Sequence, residues 1–109
     1  MDPRHLAGQR AEAAACHCLV AAGLCLLERN ARFRLGEWDL VMLDGELLVF
    51  VEVRLRSNPR FGGALASIDH RKRTRLLRAA AAWVQRHPAH GKRRQRFDVV
   101  GFASLDAVP

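Results

Sequence analysis

The sequence LLVFVEVRLR, residues 47–56, decides the fold, because it joins a buried strand to a charged end. Its first half consists of large and β-branched apolar residues, which is typical of a strand covered on both faces. Side chains alternate between the two faces of a strand. One face is therefore apolar throughout, whereas the other begins with Leu48 and Phe50 and continues with Glu52, Arg54 and Arg56. A carboxylate in that position is costly to bury unless it is paired, protonated or bound to a metal.

The preceding segment GEWDLVML, residues 36–43, predicts a second strand that pairs with the first. Between the two lies Asp44-Gly45, a strong hairpin signal, and a two-residue turn at this dipeptide fixes the pairing. In that register Glu37 lies opposite Glu52, while Asp39 lies opposite Phe50 and diagonal to Glu52, within reach of long side chains. The pattern predicts one charged cluster on a single sheet face, made of Glu37, Asp39, Glu52 and Arg54.

A cluster of this composition has two interpretations. Like charges destabilise one another across a sheet, so several carboxylates beside one cation favour a hard divalent metal with oxygen ligands. The alternative is a solvated strand end in which an arginine pairs with a glutamate, because charged residues are ordinarily exposed. The two strands alone leave both interpretations open.

Length and composition bound the class of protein. With 109 residues, half of them apolar, residues 1–109 are expected to form a single domain. The N-terminal sequence MDPR does not begin a signal peptide, and the longest apolar stretch, residues 19–27, is too short to span a bilayer. The three cysteines are an odd number and do not suggest a disulfide framework. These features predict a cytoplasmic protein with no membrane partner.

The charges are distributed unevenly along the chain, whose net charge is +7. Residues 1–53 hold five arginines and eight acidic residues, whereas residues 54–109 hold thirteen basic residues and three aspartates. An acidic site flanked by a basic surface suits a metal centre beside bound phosphates, which favours nucleic acid as the partner. The alternative is a compositional bias towards arginine, since sixteen arginines stand against two lysines. The candidate nucleic-acid-binding residues are Arg56, Arg71, Lys72, Arg75, Arg93 and Arg94.

The rest of the chain predicts helices packed against a mixed sheet. A helix is expected over residues 3–22, and Glu12 lies beside its apolar stripe, either as an edge residue or facing the acidic cluster. Residues 24–27 and 31–35 look like strands, with residues 28–30 as either a turn or a bulge between them, and residues 56–66 look like a loop. A second helix, capped by Ser67 or Asp69, is expected to end at about Arg86, and residues 96–103 predict the last strand. The resulting α/β order is α-β-β-β-α-β.

Several of these segments carry a specific family resemblance that covers nearly the whole chain. The matching residues are GEWDLVMLDGELLVFVEVR (36–54), Phe61-Gly62, Lys72 and RFDVVGF (96–102), together with Gly8, Glu12, Gly23 and Asn30. They closely resemble the YraN-like family of small bacterial proteins, which is similar to the PD-(D/E)xK nuclease superfamily and especially to archaeal Holliday junction resolvases. The resemblance implies a restriction endonuclease-like core and a metal-dependent endonuclease that acts on DNA, including branched or structured DNA.

The resemblance also assigns roles to the charged residues. Glu12, Asp39, Glu52 and Arg54 would be catalytic, with Glu37 as a supporting carboxylate. Mg²⁺ or Mn²⁺ would be held by Asp39, Glu52, the Val53 carbonyl and Glu12. Relatives that cut junctions act as dimers, so the resemblance also implies a homodimer.

Arg54 is the one departure from the nuclease motif, which has a lysine in this place. Arginine keeps its charge and can grip a phosphate, but it cannot act as a base. Lys72 can supply an amine from the second helix, although a surface lysine at a helix start is the more ordinary interpretation. Three functions therefore stay open: a nuclease, a nucleic-acid-binding protein with weak or no catalysis, and a protein-interaction module with an internal ion-pair network.

Overall fold

The structure is a computed structural model and describes residues 3–55, 68–103 and Val108. The loop expected over residues 56–66, with Arg56, lies outside the described residues, as does Ser67. The described elements, with their bounds, are α1 (Pro3–Ala21), β1 (Cys25–Phe33), β2 (Gly36–Asp44), β3 (Leu47–Leu55), α2 (His70–Arg86), a short 3₁₀ turn (Pro88–His90) and β4 (Gln95–Phe102).

The strands form one mixed sheet in the order β1-β2-β3-β4. β1, β2 and β3 pair antiparallel, whereas β4 returns parallel to β3 after the crossover through α2. This arrangement confirms the expected α/β class and the α-β-β-β-α-β order. No helix among the described residues is long and apolar enough to cross a membrane.

The two faces of β3 pack against different helices, as the alternation predicts. Val49 and Val51 lie in the core on the α1 side, next to Ala15, whereas Leu48 and Phe50 lie in the core on the α2 side. The α2 side is the more aromatic of the two, since Phe50 contacts Trp83 edge to face at 5.9 Å between ring centroids. With apolar layers on both sides, the centre of the sheet is sealed from water.

The second helix begins where the cap signal predicts. Asp69 Oδ1 accepts a hydrogen bond from the backbone N–H of Lys72 at 2.8 Å, which satisfies one of the unpaired donors of the first turn. The helix ends at Arg86, two residues before Pro88. This cap fixes Lys72 in the first turn of α2, above the sheet.

The first strand follows the bulge alternative of the prediction. Residues 24–27 and 31–35 are not separated by a turn, because β1 is continuous from Cys25 to Phe33. The strand absorbs the intervening residues through an irregularity between Leu26 and Glu28 and through Asn30, whose φ is +53°. A bulge takes up an extra residue without ending the ladder, and asparagine tolerates the left-handed region better than most residues.

The hairpin register differs from the prediction, by two residues. Asp44 pairs with Leu47, so the turn residues are Gly45 and Glu46 rather than Asp44 and Gly45. Gly45 has φ +60° at the first central position, which is typical of a type II′ turn. A shift of two residues keeps the side chains from Leu40 onwards on their predicted faces, because the period of a strand is two. Trp38 is the exception, since it packs on the face opposite to that of Leu40. The shift brings Leu40 opposite Val51, so that Asp39 comes level with Glu52 just beyond the last residue pair instead of opposite Phe50.

Candidate active site

Asp39 marks the point where β2 and β3 part. The residue pairs between these two strands run from Asp44–Leu47 at the hairpin to Leu40–Val51. Immediately beyond it, Asp39 Oδ2 accepts a hydrogen bond from the backbone N–H of Val53 at 2.7 Å. The side-chain carboxylate thus takes the place of a backbone acceptor, and the bond fixes its orientation at the open end of the two strands.

A local twist of β2 gives Asp39 access to both sides of the sheet. Residues two apart on a strand normally share a face, yet Trp38 packs in the core on the α2 side and Leu40 in the core on the α1 side. Arg29 pairs with Leu40 and Ala31 pairs with Trp38, so Asn30, with its positive φ, lies opposite Asp39. The change of face therefore occurs at Asn30 and Asp39.

Three carboxyl groups from three different elements meet at this twist. Asp39 is joined by side-chain hydrogen bonds to Glu12 of α1 and to Glu52 of β3. Asp39 and Glu52 are 5% and 3% exposed, which makes them the buried charged residues of the described chain. A hydrogen bond between two carboxyl groups needs a proton on one of them, so these contacts favour the protonated acids over a fully ionised cluster.

Burial dominates the acid–base behaviour of this cluster. Burial raises the pKa of Glu12, and a hydrogen bond to Asp39 opposes part of that rise. Burial also raises the pKa of Asp39, against the hydrogen bonds from Glu52 and from the Val53 N–H. The largest effect falls on Glu52, because burial, the hydrogen bond to Asp39 and the charge of Asp39 together raise its pKa to about 7. As the pH rises, Glu52 is therefore the last of the three acids to lose its proton.

Lys72 brings a positive charge into the cluster. Its Nζ lies 2.9 Å from Glu52 Oε2, and its side chain is 35% exposed against 4% for that of Glu52. Glu52 Oε2 thus has the Lys72 ammonium as its charge partner, and it makes no other hydrogen bond among the described residues. The interpretation of Lys72 as an ordinary surface lysine is wrong, since it reaches from the first turn of α2 to the buried acids.

The donor set is suited to a hard divalent cation. Carboxylate oxygens are the ligands that Mg²⁺ and Mn²⁺ prefer. A buried carboxylate oxygen with no hydrogen bond besides its ion pair with Lys72, Glu52 Oε2, is available for such an ion. In their present arrangement the acids face one another, and no group of three or more Asp, Glu, His or Cys side chains within the described chain is placed so that it could hold a metal ion. Loss of protons from these acids has to accompany metal binding.

One member of the predicted cluster lies at its margin. Glu37 is exposed and pairs with Arg32 of β1 at 3.2 Å, although its charge still contributes to raising the pKa of Glu12. Arg54 is half-buried and lies two residues beyond Glu52 on β3, opposite Gly101 of β4. The structure therefore brings Asp39 and Glu52 together as predicted, and it adds Glu12 and Lys72 from the two helices.

The predicted nucleic-acid-binding residues separate into two regions. Arg71, Lys72 and Arg75 line an open groove beside the acidic cluster. Arg93 and Arg94 lie at the opposite end of the sheet, where Leu48 pairs with Gln95. Glu52 is four residues further along β3 than Leu48, a distance of about 13 Å. Arg93 is also occupied, since its guanidinium donates to His90 Nδ1 at 2.9 Å and to the Glu46 carbonyl at 3.0 Å.

The fold and the site define a small α/β protein in which three buried or half-buried acids and a lysine meet at the open end of a mixed sheet. The chain belongs to the uncharacterised protein family UPF0102, whose model matches residues 11–102. This membership confirms that the chain belongs to a family of uncharacterised proteins, as the resemblance implied. The likeness to PD-(D/E)xK nucleases stays a prediction.

Relatives from several bacteria resemble the chain over most of its length. A UPF0102 protein of Bordetella avium is 59% identical over 106 residues, which cover 97% of this chain and 72% of the relative. A UPF0102 protein of Halorhodospira halophila is 57% identical over 91% of this chain and 78% of its own length. One from Stutzerimonas stutzeri is 48% identical over 95% of this chain and 87% of its own length.

Proposed function

We propose that the protein is a Mg²⁺- or Mn²⁺-dependent endonuclease that hydrolyses phosphodiester bonds in DNA, including branched or structured DNA. The observation that carries the proposal is the convergence of Glu12, Asp39 and Glu52 from three elements, with the Lys72 ammonium 2.9 Å from Glu52. Buried acids with raised pKa values beside a cation are typical of a catalytic site rather than of a surface ion pair.

Each residue has a definite role in this proposal. Asp39 and Glu52 hold the metal, with the Val53 carbonyl and Glu12 as further oxygen donors. The Val53 N–H orients Asp39, and a strand residue directs its carbonyl to the same side as its N–H. When bound, the metal would lower the pKa of a water and offset the charge of the scissile phosphate. The apolar layers on both faces of the sheet exclude other water from the carboxylates.

Lys72 bears on the main objection to catalysis, which is the arginine at position 54. The nuclease motif requires a cationic amine near the glutamate, and Lys72 supplies one from α2 instead of from β3. In the proposed reaction Lys72 holds the attacking water or a phosphate oxygen through N–H donors, and it stabilises the negative charge of the transition state. Arg54 then serves as a phosphate clamp, for which its fixed charge suffices.

A second candidate function is nucleic-acid binding with weak or no hydrolysis. The mutual hydrogen bonds of the three acids favour it, because they leave no ready cavity for an ion in the described site. The two candidates differ in one requirement. The nuclease requires a divalent metal to displace the protons of the acids at neutral pH, whereas the binding protein does not.

A cleavage assay tests the proposal. The substrates are a four-way junction, a flap, and single- and double-stranded DNA, each with Mg²⁺ or Mn²⁺ and with EDTA as a blank. The Glu52→Ala variant is purified identically, and Glu46→Ala serves as the matched acidic control because Glu46 lies in the distant hairpin turn. We expect cleavage by the wild type and by the control, and none by Glu52→Ala or with EDTA.

Two results would refute the nuclease. The first is an uncut set of substrates with wild-type protein that still binds DNA, which leaves the second candidate. The second is equal cutting by Glu52→Ala, which identifies a contaminant. Isothermal titration of Mn²⁺ into the wild type and into Glu52→Ala provides an independent readout. It tests whether Glu52 holds the metal, whether or not the DNA is cut.

A further inference from the structure

A basic groove opens beside the acidic cluster. It lies between the β1–β2 turn and the N-terminal half of α2 and has a volume of about 880 Å³. Its basic lining comes from two separate elements and consists of Arg32, Arg34, His70, Arg71, Lys72, Arg75 and Arg78. Glu37 is its acidic lining residue within the described chain, and that carboxylate is paired with Arg32. The groove therefore carries a strong net positive charge at neutral pH.

The helical wall of the groove presents its cations in a regular row. Arg71, Arg75 and Arg78 stand at positions i, i+4 and i+7, which lie on one side of a helix. The row extends about 10 Å along the helix axis at 1.5 Å per residue. A nucleic-acid strand rises about 3.4 Å per phosphate along its duplex axis, so the row can follow roughly three phosphates.

The opposite wall is fixed tightly against the helix. Gly36 lies so close to α2 that a Cβ at this position would be 2.8 Å from the Arg75 carbonyl oxygen. Trp38 Nε1 donates to the Leu76 carbonyl at 2.9 Å, which ties the same strand to the next residue of the helix. Arg34, in the turn just before Gly36, is thereby held at a fixed distance from the helical row. The groove is a preformed feature of the fold.

Lys72 connects the groove to the acids. It lines the groove and also lies 2.9 Å from Glu52 Oε2. A polyanion that follows the groove is thus led to the carboxylate cluster, where a phosphate and a divalent cation would offset each other's charge.

We infer that this groove is the track for the sugar–phosphate backbone on one side of the scissile bond, with Arg34, Arg71, Arg75 and Arg78 as the phosphate ligands. The identity of the polymer rests on the proposed function. Phosphate contacts position a strand without reading its bases, so the track confers affinity and register but no sequence preference. The distant pair Arg93 and Arg94 is not part of the track.

Salt-dependent binding measures each contact separately. Fluorescence anisotropy of a labelled DNA junction is followed against NaCl concentration in EDTA, where no hydrolysis occurs. The variants are Arg34→Gln, Arg75→Gln and Arg78→Gln, and Lys92→Gln is the control because it removes the same charge at the far end of the sheet. These are surface substitutions, and thermal unfolding verifies that each variant is folded.

We expect each groove variant to bind more weakly and to lower the slope of log K against log salt by about 0.7 to 0.9, as for the loss of one phosphate contact. Lys92→Gln should keep the wild-type slope. Equal slopes for the groove variants and the control would overturn the track. Displacement of the DNA by polyglutamate at equal charge concentration would also overturn it, because the groove would then recognise carboxylates as well as phosphates.

The two proposals fail in different ways. If the wild type binds DNA through the groove but never cleaves it, the nuclease is refuted and the track stands. If the wild type cleaves but the groove variants bind and cleave like the control, the track is refuted and the nuclease stands.

Discussion

The two ends of the β2–β3 pair are built from the same residue types and have opposite chemistry. At the hairpin end, Asp44 is solvent-accessible and its carboxylate is bonded to the Arg96 guanidinium at 3.0 Å. At the open end, Asp39 and Glu52 are buried and are bonded to other acids. An exposed carboxylate beside an arginine contributes little to stability and needs no proton. A buried carboxylate beside another acid holds a proton or a metal.

The difference originates in the backbone. At the hairpin end the ladder continues to the turn, and Asp44 pairs with Leu47. At the open end the Val53 N–H bonds to the Asp39 side chain instead. The open end keeps its acids buried because apolar clusters cover both faces of β2 and β3. The predictions below separate the two ends, from the largest expected effect to the smallest.

The largest effect is expected from Lys72, which belongs to the open end alone. Lys72→Ala should lower the rate of DNA cleavage by about 10² to 10³, as for the loss of one charged donor to a transition state. Lys72→Arg should recover part of that loss if the role is electrostatic, and none if the amine transfers a proton. Lys92→Ala is the control, since Lys92 lies near the opposite end of the sheet. Equal rates for Lys72→Ala and Lys92→Ala would show that the amine has no catalytic role.

The next effect is a dependence of stability on pH that arises from Glu52. Its pKa rises from an ordinary 4.5 in the unfolded chain to about 7 in the fold, so the folded protein binds more protons between these values. The free energy of unfolding in EDTA should therefore fall as the pH rises from about 4.5 to 7, and level off above 7. Glu12 and Asp39 act in the same direction, because their pKa values are also raised.

Glu52→Gln is the test of that dependence. Glutamine keeps the shape of the side chain and cannot ionise, so the variant should lose most of the slope and be the more stable protein above pH 7. Thermal unfolding at pH 5 to 8 in EDTA measures the difference as a shift in Tm. An unchanged slope in Glu52→Gln would place the titration elsewhere. With Mg²⁺ present, the wild type alone should gain stability at pH 8.

Much of this site was predictable from the strands, and the remainder was not. Alternation fixed which face Glu52 occupies, and it held despite a register error of two residues because a shift of two preserves the face. The error came from Gly45, which takes the first rather than the second place in the turn. The contact of Lys72 with Glu52 depends on how α2 crosses the sheet, and local periodicity carries no information about that crossing.

Two glycines, one at each end of β2, are expected to give moderate effects on stability when they are replaced by alanine. Gly36→Ala puts a Cβ 2.8 Å from the Arg75 carbonyl oxygen, so the β1–β2 turn has to move away from α2. We expect a loss of about 1 to 3 kcal/mol in stability together with weaker DNA binding. Gly45→Ala meets no atom within 4 Å but has φ +60°, so it should cost about 1 to 2 kcal/mol and leave DNA binding unchanged. Urea unfolding and anisotropy measure both quantities. Equal losses of DNA binding in the two variants would mean that the turn position does not shape the groove.

The smallest effect is expected from Glu37, and it decides between two roles for this residue. The resemblance to nucleases makes Glu37 a supporting carboxylate, and its removal would then lower cleavage markedly. Its pairing with Arg32, with side chains that are 47% and 72% exposed, instead makes it a neutralising charge at the edge of the groove. Glu37→Gln should then change the free energy of unfolding by no more than about 0.5 kcal/mol, since exposed pairs contribute little. The substitution should free Arg32 to contact phosphates, which tightens DNA binding at low salt. The rate of DNA cleavage should stay at the wild-type value. A fall in cleavage with unchanged binding would return Glu37 to the metal site.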